Sequence, residues 1–280
     1  MIKVLVIGDT HDSPNINSKE RFGWFAKHIK NVKPDYVVQI GDFITLDSCT
    51  HYIKDDTYTA RIEKPIFMKE MESMDSAMEE FAYHLKDYPI KKYITLGNHE
   101  NRMWRKEDNN PSFFGMCKKE FFGICKKYNW EVIPYGTYLM LNGVGFIHAP
   151  LNLMGKEFGG DASERQVANK SKIDIVFGHS HRAQDIRVSK ISNKKNDFTR
   201  IVNVGCSLPY GHIEHYARHS LTGWTYQICE VNIWDNHIQE VNNISMQTLE
   251  NEYGKPKPKE KKTSWIKGFN KWNKKQKKQK

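Results

Sequence analysis

Short uninterrupted apolar runs alternate along the chain with longer stretches whose apolar positions recur every three or four residues. Residues 4–7 (Val-Leu-Val-Ile) are of the first kind, which predicts a buried strand of a parallel sheet; 36–40 (Tyr-Val-Val-Gln-Ile) and 92–96 (Lys-Tyr-Ile-Thr-Leu), mostly apolar with a polar residue or two, are read as a second and a third strand. Residues 19–30 are of the second kind, with Phe22, Phe25, Ala26 and Ile29 on one face. So are the Met- and Glu-rich residues 66–86, and both stretches predict helices, with the methionines as core packing. A further helix is expected over 113–127. Strands follow at 131–134, 137–141 and 144–148, and Asn142-Gly143 between the last two is a hairpin signal. A short helix over 163–169 precedes a strand at 173–177. The remainder is β-rich, with strands expected at 185–188, 199–204 and 225–233.

The order is βαβαβα followed by mixed β, with no internal repeat. It predicts an α/β fold, a four-layer αββα sandwich in which two mixed sheets pack face to face with helices outside. Residues 43–65, 101–112 and 149–162 lack a clear period and are expected to shape a pocket.

Composition modifies this picture at one end. The 280 residues carry a formal net charge of +10. From residue 251 onward there are twelve lysines against two acids, so this segment alone accounts for the excess and the body is neutral. Residues 1–250 therefore read as the folded domain and 251–280 as a Lys-rich, disordered tail. Trp265, Ile266, Phe269 and Trp272 stand among those lysines. The tail could meet nucleic acid through lysine–phosphate contacts and base stacking, or lie on an anionic surface. No apolar run approaches the roughly 20 residues of a membrane span. The N-terminus runs straight into the first strand with no export signal, so a cytoplasmic location is expected. Five cysteines in no CxxC pair read as free thiols.

The chemistry sits where the strands stop. The strand ends read Gly8-Asp9-Thr10-His11, Gly41-Asp42, Gly97-Asn98-His99-Glu100 and Gly178-His179-Ser180-His181. In open α/β sheets, ligands bind outside the carboxyl ends of the strands. His179 and His181, two apart, can project to one side of the turn. Oxygen and nitrogen donors without thiolate suit Mn, Fe, Zn or Ni ions. A carboxylate bridging two ions roughly 3.5–4 Å apart gives the type of centre used in phosphoester hydrolysis.

Taken in order, and with the lone His148 after its strand, this set resembles the calcineurin-like metallophosphoesterase family over most of residues 1–205. The resemblance implies two divalent transition-metal ions, Mn first among them. Asp9, His11, Asp42 and His181 would hold one; Asn98, His148 and His179 would complete the other, with Asp42 bridging. It implies that His99 is the catalytic histidine beside the phosphate and that a bridging hydroxide attacks phosphorus. Arg102 and Arg105 follow that loop as candidate phosphate-binding residues, and Lys156, Gly159 and Gly160 lie where a loop could wall the site.

The chain departs from the family pattern in places. Where the family often has a second Asp three residues after Gly-Asp, this chain has Thr45, with Asp47 nearby. The Gly-Asp-x-x-Asp-Arg-Gly pattern of protein Ser/Thr phosphatases is missing, which argues against a phosphoprotein substrate. Asn203-Val204-Gly205-Cys206 resembles the family's Asn-Pro-Gly-Ser with two changes. Asp12 reads as a loop cap, and His212, His215 and His219 as a polar surface segment. The expected function is a metal-dependent phosphoesterase, with a phosphodiester or nucleotide substrate favoured. A DNA or RNA nuclease using the tail is one alternative, and a non-catalytic nucleic-acid- or membrane-binding protein is another.

Overall fold

The computed structural model describes residues 1–50, 64–86, 88–160, 162–192, 197–214, 217, 219 and 222–255. The first strand explains the layering. β1 (Ile2–Ile7) is apolar on both faces because each face meets a different core. Val4 and Val6 point into one cluster, while Leu5 and Ile7 point into another, as the two-residue period of a strand requires. β2 (Tyr36–Gln39) and β3 (Lys91–Thr95) continue a parallel ladder from β1, and β4 (Trp130–Ile133) pairs parallel to β3. On the other side, β10 (Gln227–Trp234) and β11 (His237–Ser245) add antiparallel strands, giving the order β11-β10-β1-β2-β3-β4.

The second sheet has the order β5-β6-β7-β9-β8, from β5 (Leu139–Leu141), β6 (Val144–Phe146), β7 (Ile175–Phe177), β8 (Ala183–Ser189) and β9 (Phe198–Val204). Its Phe146, Val176, Val202 and Val204 interlock with Val4, Val6, Val38 and Ile40 of the first sheet. The first sheet's outer face is covered by α1 (Glu20–Val32) and α2 (Phe67–Leu85). They contribute Phe22, Phe25 and Ile29, and Met71, Met74, Met78 and Phe81, to a second core. The methionines are packing residues, as their spacing indicates. Beyond the second sheet, α5 (Ser163–Lys170) buries Val167 and Ala168 against Ile175, Phe177 and Ile201. The molecule is an αββα sandwich of two mixed sheets.

Several elements differ from the sequence expectation. The helix expected over 113–127 is a 3₁₀ turn at Pro111–Phe113 followed by α4 (Met116–Lys127), because Gly115 between them has φ +80°. The 101–112 segment contains α3 (Arg102–Asp108), which buries Met103 and Glu107. β11 was not expected, nor was α6 (Met246–Tyr253). The hydroxyl of Tyr253 lies 3.2 Å from Nδ1 of His28, and its carbonyl accepts from Lys27 Nζ at 3.1 Å. α6 is therefore tied to α1 through Tyr253. Residues 256–280, which hold most of the charged tail, and residues 51–63 lie outside the described residues.

All five cysteines are buried free thiols. Among the described residues no helix is long and apolar enough to cross a membrane.

Candidate metal centre and phosphate site

β1, β2 and β3 are parallel, so Asp9, Asp42 and Asn98 emerge at one edge of the first sheet. β6 and β7, also parallel to each other, deliver His148 and the His179–His181 turn from the second sheet. The turns are tight. His11, Asp42, His179 and His181 all have left-handed backbones, with φ of 41°, 48°, 71° and 58°. For non-glycine residues this conformation costs on the order of 1 kcal/mol each. It persists because the backbone is held from several sides.

Asp42 O accepts from Thr10 N at 3.1 Å and His11 N at 2.9 Å. The buried Glu100 carboxylate accepts from Asp42 N at 3.0 Å, Gly97 N at 2.8 Å and Ile44 N at 3.3 Å, clipping the second and third strand ends together. Its burial raises the Glu100 carboxyl to about 7. Two glycines make room for carboxylates. A Cβ at Gly97 would collide with Asp42 Oδ1, and one at Gly178 with Asp9 Oδ1. In return, Asp42 Oδ1 accepts from His99 N at 2.9 Å, and Asp9 Oδ2 from His179 N at 3.0 Å.

The donor atoms converge in overlapping sets: Asp9, His11 and His181; His11, Asp42 and His99; Asp42, His148 and His179. In the first, His181 Nε2 lies 3.1 Å from Asp9 Oδ2 and 3.0 Å from His11 Nε2. Asp42 Oδ2 is 3.7 Å from His11 Nε2 and 3.2 Å from His148 Nε2, so this carboxylate stands between the two sides. Asn98 Oδ1 lies 3.0 Å from both His148 Nε2 and His179 Nδ1. Donors about 2.1 Å from one ion sit about 3 Å apart around it, the spacing found here.

His148 tests the fit further. Its Nδ1 faces the carbonyl of Ile40 at 3.0 Å and must donate to it. In the neutral ring, Nε2 of the fully buried His148 then presents a lone pair to two oxygens, those of buried Asp42 (Oδ2) and half-buried Asn98 (Oδ1). Three acceptors facing one another call for positive charge between them. The same demand raises the His148 pKa to about 10: burial lowers it, but Asp42 and then Asp9 outweigh burial. Asp42, raised by burial, is pulled well below the usual carboxylate range by His148 and His99. The residues present fit a cation-binding centre.

His99 is held differently from the ligand set. Its Nδ1 donates to the backbone carbonyl of Thr45 at 2.6 Å, and its Nε2 accepts from Arg102 Nη2 at 2.9 Å. The ring is therefore neutral, and burial lowers its pKa to about 3. Arg102 Nη1 donates to the same Thr45 carbonyl at 2.8 Å and to Asp47 Oδ1 at 3.2 Å. Thr45, where the family often has an aspartate, orients the histidine through its main chain. Asp47 anchors the arginine, and the arginine in turn meets His99. Arg105 lies one turn further along α3.

Other contributors carry no sequence signature. Glu157 Oε2 lies 3.2 Å from His179 Nε2, and Tyr135 Oη donates to Glu157 Oε1 at 2.5 Å. The His179 contact first, and Tyr135 with it, holds the Glu157 carboxyl down at about 2 against the opposing effect of burial. Trp224 stands edge-on to His181 with ring centroids 4.5 Å apart. Asn203 is no ligand: its Nδ2 donates to Ser180 Oγ at 2.7 Å and Glu164 Oε1 at 3.0 Å, tying the histidine turn to α5.

Asp12, expected as a loop cap, is wholly buried and is the hub of an ion-pair network. It meets Lys19 Nζ at 2.5 Å, Arg21 Nη2 at 3.3 Å and Ser73 Oγ at 2.7 Å. Arg21 Nη2 also donates to Thr10 O at 3.0 Å, so the network fixes the loop bearing His11. His215 and its neighbour 216 lie outside the described residues, and His212 and His219 join none of the clusters.

The calcineurin-like phosphoesterase family model matches residues 2–183, from the first residue of β1 to just past His181, and the chain belongs to that family. Among solved structures, the chain is similar to a metallophosphoesterase from Sphaerobacter thermophilus, at 12% identity over 91% of this chain and 95% of that one, with a TM-score of 0.43. It is also similar to TT1561 of Thermus thermophilus, at 8% identity over 88% and 99%, TM-score 0.40. Vps29 from Entamoeba histolytica, solved with Zn²⁺, is similar at 11% identity over 87% and 97%, TM-score 0.38. No curated protein sequence matched the chain.

Proposed function

We propose that this protein hydrolyses phosphate esters at a dinuclear metal centre, with phosphodiesters or nucleotides as its favoured substrates. Asp9, His11, Asp42 and His181 would hold one ion, and Asp42, Asn98, His148 and His179 the other. The observation that carries this reading is the position of Asp42 Oδ2 between His11 and His148, 3.7 and 3.2 Å away, with oxygen and nitrogen donors on both sides. Two divalent ions there, Mn first and Fe, Zn or Ni as other choices, would lower the pKa of a bound water and offset negative charge on phosphate oxygens.

The chain's own residues do the rest. Arg102 keeps Nη1 on Thr45 O and Asp47. That leaves Nη2 as the donor able to turn from His99 to a phosphate oxygen, where a planar guanidinium is well matched. The exchange frees His99 Nε2. An anion beside it favours the protonated ring, and the proton then points toward the departing oxygen while Thr45 O holds Nδ1. Buried Asp9 and Asp42, fixed by backbone N–H groups, need no rearrangement to act.

The test is hydrolysis of bis(p-nitrophenyl) phosphate beside p-nitrophenyl phosphate, before and after metal removal with a chelator. Activity restored by Mn²⁺, with the diester preferred, supports the reading. Turnover unchanged by exhaustive chelation overturns it.

A nuclease reading draws on the basic tail. Removal of residues 255–280 should then reduce turnover of polynucleotides, most strongly at low salt, and leave the small diester untouched. Equal effects on both substrates would count against it.

A further inference from the structure

His148 and His179 stand at the ends of two different strands, and one short hairpin joins their surroundings. It leaves the chain just after His148. Leu151 and Glu157 form an antiparallel bridge, Asn152 N donates to Lys156 O at 2.8 Å, and Gly155 N to Asn152 O at 2.9 Å. The Asn152 side chain closes the tip, its Oδ1 accepting from Met154 N at 2.8 Å and Lys156 N at 3.2 Å. Gly155 at φ +72° makes the turn, and Phe158 anchors the returning arm on the core under α5. This is a built loop, and the residue it presents inward is Glu157.

We propose that Glu157, supported by Tyr135, is the positioning residue for His179 and sets the affinity of the second metal subsite. This inference rests on the dinuclear reading above. The geometry is directional. Glu157 Oε2 faces His179 Nε2 at 3.2 Å, while Nδ1 of the same ring faces Asn98 Oδ1 at 3.0 Å. A carboxylate only accepts, so it places the ring proton on Nε2 and leaves the Nδ1 lone pair for a metal. The adjacent charge makes that lone pair a stronger donor. Tyr135 gives its hydroxyl proton to Oε1 at 2.5 Å, which fixes the plane of the carboxylate so that only Oε2 serves the histidine.

Glu157 stands outside the sets of donors that converge on the candidate ions, so it acts through His179. His181, on the other side of the site, faces the Trp224 ring, and its carboxylate contact, at 3.1 Å, is the candidate ligand Asp9 itself. The control is therefore one-sided: the two subsites of one centre are tuned by different neighbours.

The experiment is metal binding by full-length protein, measured by calorimetric titration with Mn²⁺ and by metal analysis after dialysis, for wild type, Glu157→Ala, Glu157→Gln, Tyr135→Phe and His179→Ala. Wild type should bind two ions. Glu157→Ala should weaken one of them about 10- to 100-fold and leave the other within about twofold, matching the subsite lost in His179→Ala. Glu157→Gln, which keeps an accepting oxygen without the charge, and Tyr135→Phe should fall between. In Zn²⁺-loaded protein, ¹⁵N shifts of His179 should report the Nε2–H form in wild type and a change in Glu157→Ala. A wild type that binds fewer than two ions defeats the dinuclear reading itself. Two ions bound with unaltered affinities in Glu157→Ala and Glu157→Gln, or with both subsites weakened equally, defeats the role of Glu157 alone.

Discussion

Arg102 donates through Nη2 to Nε2 of His99 across 2.9 Å, and both residues share the carbonyl of Thr45. The guanidinium thus occupies the imidazole nitrogen that chemistry would require, and Asp47 holds its other arm. In the proposed reading, this arrangement makes Arg102 the residue that would bind phosphate. Arg102→Ala should lower kcat/KM for a phosphodiester by about 100-fold, and Arg102→Lys should recover little because a point charge cannot keep Thr45 O, Asp47 and phosphate together. Metal content should be unchanged in both. Steady-state kinetics with metal analysis on the same samples decides it; loss of metal in either variant would move Arg102 out of this role.

His99→Asn should separate binding from chemistry. It removes the ring while retaining a polar group near Thr45 O, so the variant should bind metal as wild type does. Its kcat should fall by roughly 10²- to 10⁴-fold, the usual range for a general acid. Poor leaving groups should suffer more than p-nitrophenolate, which needs little protonation. Equal losses on both kinds of substrate would argue that His99 only shapes the site.

The carboxyl of Glu70, fully buried beneath the Asp47–Cys49 turn, gives a stability signature in pH. Burial raises it from the ordinary 4.5 to about 7, even though Ser48 Oγ, Thr45 Oγ1 and two backbone N–H groups donate to it. A carboxyl raised on folding binds its proton more tightly in the native state. Its contribution is therefore complete below pH 4.5 and is lost as pH rises through about 7. The difference is worth up to about 3 kcal/mol. Denaturant unfolding between pH 4.5 and 8 should show that decline in wild type, and a flatter profile in Glu70→Gln.

The Asp12 network predicts a large loss from a small change. Asp12→Ala would leave buried Arg21 and half-buried Lys19 without their shared carboxylate. Breaking a buried pair from one side costs about 3–5 kcal/mol. The unfolding midpoint in urea should fall accordingly, and a second variant, Ser73→Ala, should cost about 2 kcal/mol because it removes two hydrogen bonds, the one Ser73 Oγ donates to Asp12 and the one it accepts from Lys19.

Much of this was legible in the sequence, and the reasons are physical. The central residues of β1, β2 and β3 are buried on both faces, so Val4–Ile7, Val37-Val38 and Tyr93-Ile94 are written as apolar runs, and a glycine follows within two residues of each strand's end. The seven candidate ligands stand at strand ends, where a residue type alone states the chemistry. β11 was hidden because it is an edge strand that exposes Gln239, Glu240, Asn242 and Asn243: its apolar residues Ile238, Val241 and Ile244 fall at every third position and imitate no strand. α3 was hidden because it buries only Met103 and Glu107. The support of His99 was invisible in principle, since Thr45 acts through its carbonyl and any residue has one. Glu157 was a lone acid in an irregular loop, and only the fold brings it to His179.

The central claim is that Asp42 joins two metal subsites into one hydrolytic centre. Its most direct test is the metal stoichiometry and bis(p-nitrophenyl) phosphate turnover of Asp42→Ala, beside wild type, in the presence of Mn²⁺. The account predicts two ions per chain and metal-dependent turnover for wild type, and fewer than two ions with no detectable turnover for the folded variant. An Asp42→Ala protein that retains two ions and hydrolyses the diester at the wild-type rate would contradict it.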